Sequence, residues 1–128
     1  MAPKTKVLIV EDEPMLRELI EQEIQNAGFE TLTAVDGLAG LKAIEYDSGL
    51  SVVICDYNMP NMTGTQLVRT VREKFPEFRK RTSWIALTAH LPTDSIDLKE
   101  SDFDQVFYKP ISLKMLTNYI KAALNKPR

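Results

Sequence analysis

The feature that most narrows the fold is a run that is apolar at consecutive positions, Val52-Val53-Ile54-Cys55, closed by the polar residues that follow it. A strand with one face in water alternates apolar and polar side chains. A short run that is apolar throughout fits a central parallel strand covered by helices on both faces. Val7-Leu8-Ile9-Val10 carries the same signature and is followed by Pro14 to Ala27. There Leu16, Leu19, Ile20 and Ile24 share one helical face, Pro14 suits the first turn and Gly28 marks the stop.

The β-then-α unit repeats along the chain. Glu30 to Val35 reads as a strand and Gly37 to Tyr46 as a helix with Leu41 and Ile44 inward. Ser51 to Cys55 is the third strand, and the third helix, Gly64 to Phe75, turns Leu67, Val68 and Val71 inward. Ser83 to Leu87 and Gln105 to Tyr108 are the fourth and fifth strands. Ser112 caps a last helix striped by Leu113, Leu116, Ile120 and Leu124. Pro92 to Ser101 is polar and weakly helical, so a short, mobile fourth helix is expected there. Five such units predict an α/β fold: a five-stranded parallel sheet with right-handed crossovers and helices on both faces. With 128 residues the expectation is a single domain over 1–128, its core spanning about 5–125.

Charge and composition exclude several classes. A net charge of -2, from 16 basic and 18 acidic residues, lacks the positive field of nucleic-acid binding, so no direct nucleic-acid partner is expected. The dense basic stretch, Arg69, Arg72, Lys74 and Arg79-Lys80-Arg81, reads as a solvated face. Cys55, the one cysteine, permits no internal disulfide or multi-cysteine zinc site. It reads as buried, and its solitude suits a reducing cytoplasmic compartment. No apolar run approaches the length of a membrane span, so no membrane partner is expected.

In parallel sheets of this kind ligands bind where the strands end, so the residues after each apolar run should converge. They are Glu11-Asp12-Glu13 after strand one, Asp56-Tyr57-Asn58-Met59-Pro60 after strand three, Thr88-Ala89 after strand four and Lys109-Pro110 after strand five. Glu11, Asp12 and Asp56 brought together repel one another unless a cation intervenes, and an all-oxygen site suits Mg²⁺ or Mn²⁺. Lys109 adds an ammonium and Thr88 a hydroxyl. Together these groups would hold a tetrahedral anion at Asp56, a carboxylate able to attack phosphorus once the charge is neutralised. The chain has no Gly-x-x-x-x-Gly-Lys-Ser/Thr loop and no Gly-x-Ser-x-Gly elbow.

Over nearly its whole length the chain resembles the receiver domain of response regulators in two-component signalling. Glu11-Asp12-Glu13-Pro14 resembles the family's acidic pair, and Asp56-Tyr57-Asn58-Met59-Pro60 with Gly64 resembles its phosphoacceptor loop. Leu87-Thr88-Ala89 resembles its switch position and Lys109-Pro110 its lysine before a commonly cis bond. The resemblance implies a flavodoxin-like (βα)5 fold with strand order 2-1-3-4-5. It implies that Asp56 takes a phosphoryl group from a histidine kinase or histidine phosphotransfer protein. Mg²⁺ would be held by Asp12, Asp56 and the Asn58 backbone carbonyl, with Glu11 assisting through water. Thr88 and Lys109 would bind the phosphoryl oxygens, and Ala89 would leave room for them. A downstream protein would be met by the face of the fourth helix, fifth strand and fifth helix, here including Ser95 to Ser101 and Ser112 to Leu124.

Two positions depart from the family pattern. Glu11 stands where Asp is usual, and Val106 stands where many receivers carry an aromatic residue that follows the threonine's movement; Phe107 and Tyr108 are the nearby aromatics. His90, two residues past Thr88, is expected at the rim of the site, as a modulator of phosphoryl lifetime or as an exposed loop residue. Met59, Met62 and Met115 read as packing residues, and Trp84 and Tyr108 as core or sheet-edge aromatics. The competing enzyme reading is an aspartyl-phosphate phosphatase of the haloacid-dehalogenase type. That chemistry wants an acid two residues after the nucleophile, where this chain has Asn58, so a self-phosphorylating switch is expected in preference to a turnover enzyme.

Overall fold

The computed structural model describes residues 5–47, 49–90, 99 and 102–124. In chain order the elements are β1 (Lys6–Val10), α1 (Pro14–Asn26), β2 (Glu30–Ala34), α2 (Gly37–Tyr46), β3 (Leu50–Asp56), α3 (Gly64–Lys74), α4 (Pro76–Arg81), β4 (Ser83–Thr88), β5 (Gln105–Tyr108) and α5 (Leu113–Leu124). The strands form one sheet in the order β2-β1-β3-β4-β5, every neighbouring pair parallel. This is the predicted architecture and strand order. The chain first steps from β1 outward to β2, then returns past β1 to β3, so the crevice between β1 and β3 is where the winding direction reverses.

Consecutive strand residues point to opposite faces, which explains why the central runs are apolar throughout. On one face Leu8, Val10, Val53, Cys55, Trp84 and Ala86 pack with Ile44 of α2, Leu67, Val68 and Val71 of α3 and Phe78 of α4. On the other, Val7, Ile9, Val52, Ile54, Ile85 and Leu87 meet Ile20 and Ile24 of α1 and Leu116 and Ile120 of α5. Each such aliphatic side chain contributes about 1.5–3 kcal/mol when removed from water, so these two layers hold the strand ends in place. The helical stripes are narrower than periodicity predicts. Leu19 lies exposed on α1 and Leu41 is only partly covered; Met115, read as a packing residue, instead lies exposed on α5. Gly28, at φ 98°, ends α1 in the left-handed conformation that glycine adopts without strain.

Helix α4 was not foreseen. Phe75 closes α3 and opens α4, Pro76 stands at the start, Glu77 lies in the first turn and Arg79-Lys80-Arg81 in the last, all favourable to a short helix. The predicted helix at Pro92 to Ser101 lies outside the described residues, apart from Lys99. The basic stretch is also not simply solvated. Arg69 donates from Nε and Nη2 to Oδ2 of Asp102 at 3.2 and 3.0 Å, and Arg72 donates to Oδ1 at 3.1 Å. Arg79 reaches the Asp102 carbonyl at 3.0 Å, pairs with Asp104 at 3.6 Å and lies over the Trp84 ring. Asp104 in turn accepts the Trp84 backbone N–H at 2.7 Å. These contacts fasten α3 and α4 to the start of β5, at the end of the sheet away from the acidic loops.

Asp102 is buried while its arginine partners are partly solvated. Removing the acid leaves their charges short of a partner, and Asp102→Ala is expected to lower stability by about 2 kcal/mol. Urea unfolding checks this; an unchanged midpoint would mean that the cluster contributes nothing.

Candidate functional site

Four strand ends deliver the polar groups. Glu11 follows β1 directly, where its backbone N–H still donates to the Ala34 carbonyl at 3.1 Å, and its side chain is buried. Its Oε2 accepts the Glu13 N–H at 3.1 Å, and its carbonyl accepts Nη1 of Arg17 at 2.9 Å. The N-terminal turn of α1 therefore fixes how Glu11 points. Asp12, next in sequence, is exposed at the mouth. Asp56 is the last residue of β3 and is buried, with Oδ1 3.4 Å from the Asn58 N–H. One carboxylate oxygen from each of Glu11, Asp12 and Asp56 falls within 4.8 Å of the others.

Lys109 follows β5 and spans the cluster. Its Nζ lies 3.2 Å from Oδ2 of Asp56 and 3.3 Å from Oε1 of Glu11. Its backbone N–H donates to the Thr88 carbonyl at 2.7 Å, which fixes where the residue starts, and the Lys109–Pro110 bond is cis, as the resemblance implied. Thr88 closes β4 fully buried, its Oγ1 accepting the His90 N–H at 3.0 Å. Tyr57 donates its N–H to the Leu87 carbonyl at 2.8 Å, tying the loop after β3 to β4.

The structure thus brings Glu11, Asp12, Asp56 and Lys109 together, with Thr88 at the adjoining strand end. Asn58 and Ala89 are exposed beside them. His90 is half-buried, its ring edge-on to Tyr57 with centroids 5.7 Å apart. Val106 stands away from the acids: it pairs with Ala86 and packs on the core face shared by α2, α3 and α4. Tyr108 is the β5 residue paired with Thr88. Tyr57, and a contact between Asp36 and Asn61 described below, were not singled out in the sequence. Asp36 carried an N-cap signal just before Gly37, but its link to a loop 25 residues away has no local signature.

Electrostatics mark the pocket as built for a cation. Burial, reinforced by the charge of Asp56, pushes the Glu11 carboxyl up to about 7, against the opposing pull of the Glu13 N–H and Lys109. Burial likewise raises Asp56, with Lys109 working the other way. For Lys109 burial by itself lowers the pKa, but attraction to Asp56 and Glu11 outweighs it and the net shift is upward. One ammonium shared by crowded carboxylates leaves negative charge in excess, and an oxygen-only donor set suits a hard divalent ion such as Mg²⁺.

The strand order β2-β1-β3-β4-β5, with an acidic cluster and a half-buried lysine at its switch point, offers an oxygen-lined site suited to a hard cation. The chain belongs to the response regulator receiver domain family, which it matches over residues 7–121, and so is a receiver domain of the two-component systems. It is 30% identical over 129 residues to the transcriptional regulatory protein CseB of Streptomyces coelicolor, covering 98% of this chain and 52% of that protein. It is 29% identical over 111 residues to the sensor histidine kinase RcsC of Salmonella typhimurium, covering 86% of this chain and 11% of that one. The chain therefore spans about half the length of one curated relative and about a tenth of the other. Among solved structures, the response regulator TrrA of Thermotoga maritima, in complex with Mg²⁺-BeF, superposes with a TM-score of 0.78 at 30% identity. The match covers 92% of this chain and 97% of that one. No helix among the described residues is long and apolar enough to cross a membrane.

The raised Glu11 pKa has a signed consequence. Between its ordinary value of 4.5 and about 7 the folded chain holds a proton that the unfolded chain has released. The Glu11 contribution to stability is therefore fully present below 4.5 and is lost as pH rises through 7, on the order of 3 kcal/mol in all. The raised pKa of Lys109 contributes stability that persists up to its ordinary 10.5, so it does not mask this window. In chelator, urea unfolding should show stability falling from pH 5 to 8, and Glu11→Gln should flatten the fall; an equal slope in that variant would contradict the assignment.

Proposed function

We propose that Asp56 is the phosphoacceptor of this domain. The observation that carries the reading is the burial of Asp56 at the end of the central strand, with Lys109 on one carboxylate oxygen at 3.2 Å and two further acids within 4.8 Å. In the proposed reaction an Asp56 carboxylate oxygen attacks the phosphorus of a phosphohistidine. The new O–P bond forms as the N–P bond breaks, and the departing imidazole nitrogen is left to take up a proton. Asp12, Asp56 and the Asn58 carbonyl would hold Mg²⁺ or Mn²⁺, with Glu11 assisting through water, and the ion would supply charge neutralisation for the incoming phosphoryl group. Lys109 already stands at the carboxylate and would contact a phosphoryl oxygen once Asp56 carries the acyl phosphate. Thr88 gives up its contact with the His90 N–H to donate to another, and exposed Ala89 leaves space for this.

The donor is a histidine kinase or histidine phosphotransfer protein, in keeping with relatives that are a sensor kinase and a transcriptional regulator. The output face is formed by β5, α5 and the segment before β5, in a single domain working in the cytoplasm. The domain catalyses its own phosphorylation and slow dephosphorylation and no further turnover, because Asn58 lacks the proton-accepting carboxylate that fast hydrolysis requires. With Val106 in the core layer, the Thr88 movement passes along the β4–β5 pairing or through Phe107 and Tyr108.

Acetyl phosphate or a phosphorylated kinase, with Mg²⁺, should add one base-labile phosphoryl group by intact mass, and Asp56→Asn should abolish it; the same adduct in that variant would overturn the proposal. His90, seated against Tyr57 at the rim, governs access of water to the acyl phosphate. His90→Ala should change the phospho-Asp56 lifetime several-fold, on the order of 1 kcal/mol in barrier, while phosphorylation proceeds. Identical decay of both proteins would make His90 a bystander.

A further inference from the structure

The loop from Tyr57 to Thr63 carries the Asn58 carbonyl, yet Asn58 is exposed and must be held by its neighbours. At its base the loop is closed by the Gly64 N–H donating to the Tyr57 carbonyl at 2.9 Å, and at its far side Thr63 and Gln66 form a reciprocal cap on α3. Its tip is tethered to a different element. Asn61 adopts φ 70°, the left-handed conformation that asparagine tolerates better than most side chains, and its Nδ2 donates to Oδ2 of Asp36 at 2.9 Å. The other Asp36 oxygen accepts the Ala39 N–H at 2.8 Å and caps α2. The adjacent Gly37 is a seat for the loop: a Cβ there would stand 2.6 Å from the Met62 Cβ and 2.7 Å from the Met62 carbonyl oxygen. The start of α2 is thus moulded to residues 61 and 62.

We propose that Asp36 and Asn61 are positioning residues for the metal, forming a strap between α2 and the loop tip that steadies the loop bearing the Asn58 carbonyl. Mg²⁺ demands near-ideal octahedral geometry, so a carbonyl on an untethered loop makes a poorer ligand than the same carbonyl held in place. The strap touches neither the ion nor the phosphoryl group, and its role rests on the metal assignment made above. Its loss acts on metal affinity and leaves the chemistry of Asp56 intact.

The test is direct Mg²⁺ titration by calorimetry on wild type, Asn61→Gly and Asp36→Ser, with melting temperatures measured alongside. Glycine keeps the left-handed backbone and deletes the amide; serine keeps the cap on α2 and withdraws the carboxylate. Each variant should bind Mg²⁺ about fivefold more weakly than wild type, and the double variant no more weakly than either single one. At saturating Mg²⁺ the rate of phosphorylation by acetyl phosphate should match wild type. Wild-type affinity in both variants would overturn the strap. Weakened binding accompanied by an equal fall in saturated rate and melting temperature would also overturn it, leaving a general structural role. Failure of wild type itself to bind Mg²⁺ would instead overturn the metal assignment.

Discussion

Everything at the site turns on one ammonium placed between two buried carboxylates. Lys109 Nζ lies 3.2 Å from Asp56 and 3.3 Å from Glu11, in a crevice where burial alone would disfavour all three charges. One positive charge does not balance Glu11, Asp12 and Asp56. Burial first and the charge of Asp56 second push Glu11 up to about 7, and the crowding of acids gives the pocket an appetite for a divalent cation. On the proposed reading, the lysine that restrains Asp56 before reaction would be in reach of the phosphoryl group that Asp56 takes up, so that little rearrangement of charge would be needed during transfer.

Such an arrangement costs stability, and the rest of the fold offsets it. The three groups come from the ends of β1, β3 and β5, which meet because the sheet order places β1 beside β3 and curls β5 in beyond β4. The two apolar layers fix those ends, and the Tyr57–Leu87 and Lys109–Thr88 backbone hydrogen bonds, at 2.8 and 2.7 Å, lock the loops to β4. Thr88 therefore sits at a junction, bonded through its carbonyl to the lysine and through its hydroxyl to the His90 N–H. At the opposite end, the arginines of α3 and α4 grip Asp102 and Asp104, so β5 is held at its start as well as at its end.

The strands and the converging acids were legible because they are encoded locally: consecutive apolar residues announce covered strands, and polar residues after each run announce the crevice. What escaped was encoded between distant positions. The arginines of α3 and α4 read as a solvated face because their partners, Asp102 and Asp104, lie about thirty residues further on. Helix α4 was missed because six residues hold too little periodicity, its burial resting on Phe78. Leu19 fits its helical stripe yet stays exposed, since periodicity gives the direction of a face and not its width. The Asp36–Asn61 contact joins two loops that only the folded sheet brings together.

The central claim is that the carboxylate held by Lys109 is the one that becomes an acyl phosphate. Borohydride reduces an aspartyl phosphate to homoserine, leaving a permanent mark on the reacting residue. Phosphorylation in Mg²⁺, reduction, digestion and peptide sequencing by mass spectrometry would place that mark. Homoserine at position 56 alone is the predicted result. Homoserine at position 12, or a phosphoryl group that survives at serine, threonine or histidine while position 56 stays unreduced, would contradict the account.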